Sequence, residues 1–152
     1  MIKQSLYQGV DILGKILSDR RNSVAMKHIH GDLVDLACGD NNLVKNYGKG
    51  IGIDIVDYGN ADLVCRDFSK LPLNEKSYGT VTIIASLNYF SKPKEVLSEV
   101  NRILRNDGIL IITMSNKKIM KLWRKFRGKD INIPAFSNEK IMDLLNAAGF
   151  VI

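Results

Sequence analysis

The chain has 152 residues and a formal charge of +6, with 45% apolar and 25% charged residues. This composition excludes a disordered tail, a collagen-like repeat and a disulfide-rich secreted scaffold, and a chain of this length can bury a real core. No apolar run is long enough for a bilayer, no charged–apolar–small leader pattern opens the chain, and the two cysteines, Cys38 and Cys65, lack metal-site spacing. The expectation is one cytoplasmic domain over 1–152, with reduced thiols and no metal.

The positive charge is local. Lys117, Lys118, Lys121, Arg124, Lys125, Arg127 and Lys129 follow one another without an intervening acid, and outside them 15 basic residues face 16 acidic ones. Nucleic acid is therefore not the expected partner of the fold as a whole.

In chain order, Leu6, Val10, Leu13 and Leu17 recur at helical spacing and predict an amphipathic helix over Ser5 to Ser18. "RRN" is expected to break it, and Ser23 to cap a second short helix reaching Ile29. "DLVDLA" (Asp32 to Ala37) predicts a first buried strand, and "NLVKNYG" a short helix closed by Gly48. "GIGIDI" (Gly50 to Ile55) and "DLVCRD" (Asp62 to Asp67) predict strands two and three. "LPLNEKSYG" reads as a loop, and "TVTIIAS" (Thr80 to Ser86), rich in β-branched residues, as strand four. "KPKEVLSEVNRIL" predicts a helix with Pro93 in its first turn and Val96, Leu97, Val100, Ile103 and Leu104 on one face. "RNDG" stops it, "ILIITM" (Ile109 to Met114) is strand five, and "NEKIMDLLNAAGF" is a last helix capped by Ser137 or Asn138 and ended at Gly149. The N-terminal helices (1–30), a core (31–115) and a basic segment with the last helix (116–152) make up the domain.

Strands alternating with helices imply parallel crossovers and an open α/β sheet covered on both faces. In such sheets ligands sit beyond the carboxyl ends of the strands, where the strand order reverses. After strand one come Ala37, Cys38, Gly39 and Asp40. After strand two comes Asp54, placed to accept from two ribose hydroxyls at once. After strand three comes Asp67, able to accept from an adenine amino group, with Phe68 as an apolar neighbour. After strand four come Ser86, Leu87, Asn88 and Tyr89. Asp35 lies inside a strand expected to be buried on both faces, so its carboxylate needs partners: amides of the next loop, or the ammonium group of an amino-acid ligand. Together these positions describe an adenosine with a polar tail over the first loop. Singly, each also reads as a loop acid, a turn residue or a packing residue.

The series "VDLACGD", "GIGIDI", "CRDFSKLPLNEKSYGTVTIIASLNYF" and "EVNRILRNDGILIITM" resembles the class I methyltransferases that use S-adenosylmethionine, from about Gly31 to Phe150. The resemblance implies a Rossmann-like, doubly wound, mostly parallel α/β sheet of five or six strands. It implies that Asp35 orients the loop and the methionine end, and that Ala37, Cys38 and Gly39 pass under that end. Asp54 would hold the ribose hydroxyls with Ile55 against the adenine, Asp67 and the Phe68 backbone would read the adenine edge, and Ser86 and Leu87 would line the wall near the sulfonium. Asn88 and Tyr89 become substrate-side candidates, and no catalytic base is named.

The sequence departs from the family pattern in several places. Ala37, Gly39 and Asn41 stand where three alternating glycines are frequent; Asn tolerates a left-handed backbone better than most residues. Gly79 stands where an acid often precedes strand four. Too little chain separates Asp54 from Asp67 for the usual helix after strand two. The family's last strand is missing, which would leave an unpaired apolar edge on strand five and a route to self-association. The basic stretch 117–129, with Ile119, Met120, Trp123 and Phe126, reads as a helix with a solvated cationic face, or as a surface for an anionic partner or a membrane. The resulting expectation is methyl transfer from S-adenosylmethionine to a small-molecule or lipid-like acceptor. The alternative is an inactive relative that binds S-adenosylmethionine or S-adenosylhomocysteine as an interaction module. A nicotinamide dehydrogenase would share Asp54 but should carry the three-glycine fingerprint that "ACGDNN" lacks.

Overall fold

β1 (Leu33–Leu36) is buried along its whole length and pairs in parallel with β2 (Gly50–Asp54) on one side and β4 (Tyr78–Ile84) on the other. The computed structural model describes residues 12–57, 59–114 and 136–152. β3 (Leu63–Val64) extends the sheet beyond β2 and β5 (Leu104–Thr113) beyond β4, giving five strands in the order β3-β2-β1-β4-β5. Every pairing is parallel. The chain winds outward from β1 to β3 and then returns to β4 on the other flank of β1, so the order reverses between β1 and β4. That crevice is where the doubly wound topology leaves room for a ligand.

Helices cover both faces. On one, Val34, Leu36, Ile53, Val81 and Ile83 of the sheet pack with Val96, Leu97, Val100 and Ile103 of α3 (Pro93–Ile103) and with Leu144 of α4 (Asn138–Ala147). The predicted stripe on α3 is therefore the buried one, and each such side chain contributes about 1.5–3 kcal/mol by leaving water. Ser137 caps α4 by accepting from the Lys140 N–H at 3.2 Å. On the other face Leu33 packs with Leu43 and Val44 of α2 (Asn42–Tyr47), beside Met26 of α1 (Ile12–Met26).

Three boundaries differ from expectation. α1 runs without a break through Arg20, Arg21 and Asn22. Arg is a good helix former and neither Gly nor Pro interrupts the stretch, so "RRN" lacks the means to stop it. β5 begins at Leu104, directly after α3, and Arg105–Gly108 bulges out of register between the pairs Tyr78↔Leu104 and Thr80↔Ile109. β4 likewise starts earlier, at Tyr78, and includes Gly79, where an added Cβ would lie 2.5 Å from the His30 carbonyl oxygen. That approach accounts for glycine in place of an acid. Between β2 and β3 the described residues form no helix, and among the described residues β5 pairs only with β4. The predicted basic segment 117–129 and the start of the first predicted helix lie outside the described residues. No described helix is long and apolar enough to cross a membrane.

Candidate functional site

The carboxyl ends of β1, β2, β3 and β4 open into one cavity of about 740 Å³. Its floor is the loop after β1, which is stitched to β2: the N–H groups of Ala37 and Cys38 both donate to the Ile53 carbonyl, at 2.8 and 3.2 Å. Ala37, Gly39 and Asn41 all have left-handed backbones, with φ of 60°, 53° and 57°. The alternation expected from three glycines is kept, with strain accepted at Ala37 and reduced at Asn41 by the tolerance of Asn for this region.

Asn41 does more than fill a glycine position. It is buried, and its Nδ2 donates to the Asn60 carbonyl at 2.9 Å and to Asp62 Oδ2 at 2.8 Å. Asp62 Oδ2 also accepts the Gly52 N–H at 2.7 Å, and the Gly52 N–H first, then Asn41, hold the Asp62 carboxyl below its usual range. A Cβ on Gly52 would come within 2.0 Å of Asn41 Oδ1, so only glycine admits this side chain. The short β2–β3 connection is thus tied to the first loop by an amide and a carboxylate where a helix is absent.

Asp54 ends β2 and is buried. Its Oδ2 accepts the Gly39 N–H at 2.9 Å, and its Oδ1 accepts the Ile55 N–H at 2.7 Å and, more weakly, the Val56 N–H at 3.4 Å. A carboxylate offers about four acceptor sites, so capacity remains for hydroxyl donors from the cavity. Asp35 is 4% exposed, and its Oδ1 accepts the Thr82 hydroxyl at 2.6 Å across the β1–β4 pair. Burial pushes the Asp35 carboxyl up to about 7, against the pull of the Thr82 hydrogen bond and with a smaller push from Asp54. Burial, followed by the charges of Asp35, Asp54 and Asp62, pushes the Cys38 thiol up to about 12. Cys38 lies in the floor of the cavity, and a thiol held up in this way has little thiolate character.

Asp67 is exposed beyond β3, and its Oδ1 accepts the Ser69 hydroxyl at 2.6 Å and the Ser69 N–H at 3.0 Å. Those two bonds hold its carboxyl below the usual range. Phe68 is buried and meets Phe90 edge-to-face at 5.2 Å. Ser86, at the end of β4, is buried, and its Oγ has no hydrogen-bond partner among the described residues.

Asp35, Ala37, Cys38, Gly39, Asp54, Ile55, Asp67, Phe68, Ser86 and Tyr89 all line this one cavity. Leu87 and Asn88 do not. The turn Leu87–Tyr89 sends the Leu87 side chain, fully buried, into the core with the α3 residues, which is where an isobutyl group at that position is most stable. Sequence reasoning missed Ser18, Arg21 and Asn22 of α1, together with Arg66 and Lys92, all of which line the cavity. The α1 residues stand three and four apart, the spacing of one helix face; the expected break at "RRN" hid it.

The methyltransferase domain family matches residues 34–112. An uncharacterized protein of Methanocaldococcus jannaschii is 32% identical over 96 residues, spanning 57% of this chain and 38% of the relative. A malonyl-[acyl-carrier protein] O-methyltransferase of Laribacter hongkongensis is 36% identical over 69 residues, 45% of this chain and 23% of the relative. The matched region is thus under half the length of these curated relatives. Among solved structures, a SAM-dependent methyltransferase of Thermotoga maritima superposes with a TM-score of 0.74 at 21% identity, over 90% of this chain and 71% of the other.

The fold is the Rossmann-like α/β fold of class I S-adenosylmethionine-dependent methyltransferases. The chain belongs to the methyltransferase domain family.

Proposed function

We propose that this domain binds S-adenosylmethionine in the cavity and transfers its methyl group to a small-molecule or lipid-like acceptor. The single observation that carries the reading is the convergence of Asp35, Asp54 and Asp67, from three different strand ends, on one cavity at the point where strand order reverses. The residues fit the cofactor. Asp54, positioned by the Gly39 N–H, has acceptor capacity left for two ribose hydroxyls. Ile55 is half exposed at the rim and offers an apolar surface to a base. Asp35 supplies a carboxylate for the ammonium of the methionine end, and the orphan Ser86 hydroxyl gives the β4 wall a free polar group. The malonyl-[acyl-carrier protein] O-methyltransferase relative supports the acceptor class.

The cofactor supplies an activated methyl group and its own leaving group. The chain's task is to hold it against the acceptor; orientation of this kind is worth up to about 7–11 kcal/mol. Ser86 and Tyr89 follow β4, where the transfer end would lie, and Phe68 and Phe90 pack edge-to-face in the cavity lining.

Calorimetry with S-adenosylmethionine, S-adenosylhomocysteine and NAD tests the proposal: the first two bind and NAD does not. Tight NAD binding without S-adenosylmethionine binding would overturn it. Binding without turnover over a broad acceptor panel would move the assignment to an inactive relative acting as an interaction module.

A further inference from the structure

α1 places one cation in the cavity that has no ion-pair partner among the described residues. Arg21 lines the cavity, and its Nε is buried with no hydrogen-bond partner among the described residues. It belongs to none of the described ion pairs, which join Lys49 and Arg105 to Asp32 and Arg102 to Glu99. Arg21 is half-buried, and a buried N–H such as its Nε–H is costly to leave without an acceptor. Burial lowers the Arg21 pKa, and the one group that pulls the other way is the Tyr89 phenol.

The position of that cation is informative. Its electrostatic neighbour is Tyr89, in the turn that follows β4. Tyr89 is 61% exposed and also lines the cavity, so the pair stands at the mouth. Ser18 and Asn22 flank Arg21 on the same helix face and add neutral donors.

We infer that Arg21 and Tyr89 form an anion clamp for the acceptor, which carries a carboxylate or phosphate beside the group to be methylated. The inference rests on the proposed function, because it takes the β4 end of the cavity as the transfer end. A planar guanidinium pairs with either anion through two parallel N–H bonds, and desolvation strengthens the pair. The clamp fixes the acceptor against the methyl donor and rejects neutral molecules of the same shape, which would leave the guanidinium unpaired.

The test measures hexanoate, hexyl phosphate and hexanol binding to protein saturated with S-adenosylhomocysteine, for the wild type, Arg21→Gln and Arg21→Lys. At least one anion should bind at least about tenfold more tightly than hexanol; whichever binds better identifies carboxylate or phosphate as the head group. Arg21→Gln should bring that anion to the level of hexanol, Arg21→Lys should restore part of the difference, and S-adenosylhomocysteine affinity should stay within about twofold in both. Hexanol binding as tightly as both anions, or anion binding indifferent to Arg21→Gln, overturns the clamp. Loss of S-adenosylhomocysteine binding in Arg21→Gln also overturns it, because Arg21 would then hold the cofactor's own carboxylate. Failure of the wild type to bind S-adenosylhomocysteine defeats the cofactor reading itself, and the clamp with it.

Discussion

The Gly39 N–H donates to Asp54 Oδ2 at 2.9 Å, joining the loop after β1 to the end of β2 through one carboxylate. Asp54 closes the floor of the cavity by accepting backbone N–H groups, and under the proposed function it has a second task, presenting its remaining lone pairs to the cofactor. Substitutions at this position separate the two.

Asp54→Asn keeps one of the two accepting oxygens and the shape of the side chain, so the fold should persist with part of the stability loss, while S-adenosylhomocysteine affinity falls about tenfold or more with the loss of charged acceptors. Asp54→Ala removes the acceptor from the Gly39 and Ile55 N–H groups as well, and should cost about 1–3 kcal/mol of stability in addition. Calorimetry and urea denaturation measure the two effects. Equal cofactor affinity in Asp54→Asn and the wild type would remove Asp54 from the binding site.

Asp35 makes stability depend on pH with a defined sign. Its folded pKa is about 7, raised above the ordinary carboxyl value by burial. The stabilising contribution of the neutral carboxyl is complete below about pH 4, where folded and unfolded states are both protonated. It is lost as pH rises through 7, because the unfolded chain ionises freely while the folded one must hold a buried charge. Asp35→Asn should match the wild type below about pH 4 and exceed it at pH 8, by up to a few kcal/mol, in urea denaturation of the ligand-free protein. A constant difference between the two across this range would show that Asp35 does not titrate there.

The same group gives ligand binding the opposite trend. An ammonium partner requires the ionised carboxylate, so S-adenosylmethionine affinity should rise about tenfold between pH 6 and 8, with proton release on binding at the lower pH. Calorimetry in buffers of different ionisation enthalpy detects the proton. Affinity independent of pH would place the ammonium elsewhere.

Ala37 and Asn41 share a left-handed backbone but should respond oppositely to glycine. Ala37→Gly relieves a strain of roughly 1–2 kcal/mol, less the entropy that glycine gains when unfolded, for a net gain of about 0.5–1 kcal/mol. Asn41→Gly relieves little and deletes the hydrogen bonds to Asn60 and Asp62, so it should lose about 1–3 kcal/mol. Stabilisation by both substitutions would mean that the amide contributes nothing.

Much of this was legible in the chain because its signals are local and periodic. The β-branched run of β4, the apolar face of α3 and the acids at the ends of β2 and β3 each need only a short window to read. The residues that escaped act across the sheet. Nothing in "RRN" announces that Arg21 reaches a cavity formed after β4, nor that Asn41 and Asp62, 21 residues apart, share a hydrogen bond. Leu87 was expected to line the cavity wall, but the turn directs its side chain inward.

The connection from β2 to β3, bent and without a helix among the described residues, leaves Ile55 and Val56 at 50% and 42% exposure beside the cavity. A planar base settling there would dry hydrocarbon that is wet in the free protein. Association should consequently carry a negative heat-capacity change, so that its enthalpy grows more favourable on warming. Ile55→Ser would flatten that temperature dependence and leave the carboxylates untouched.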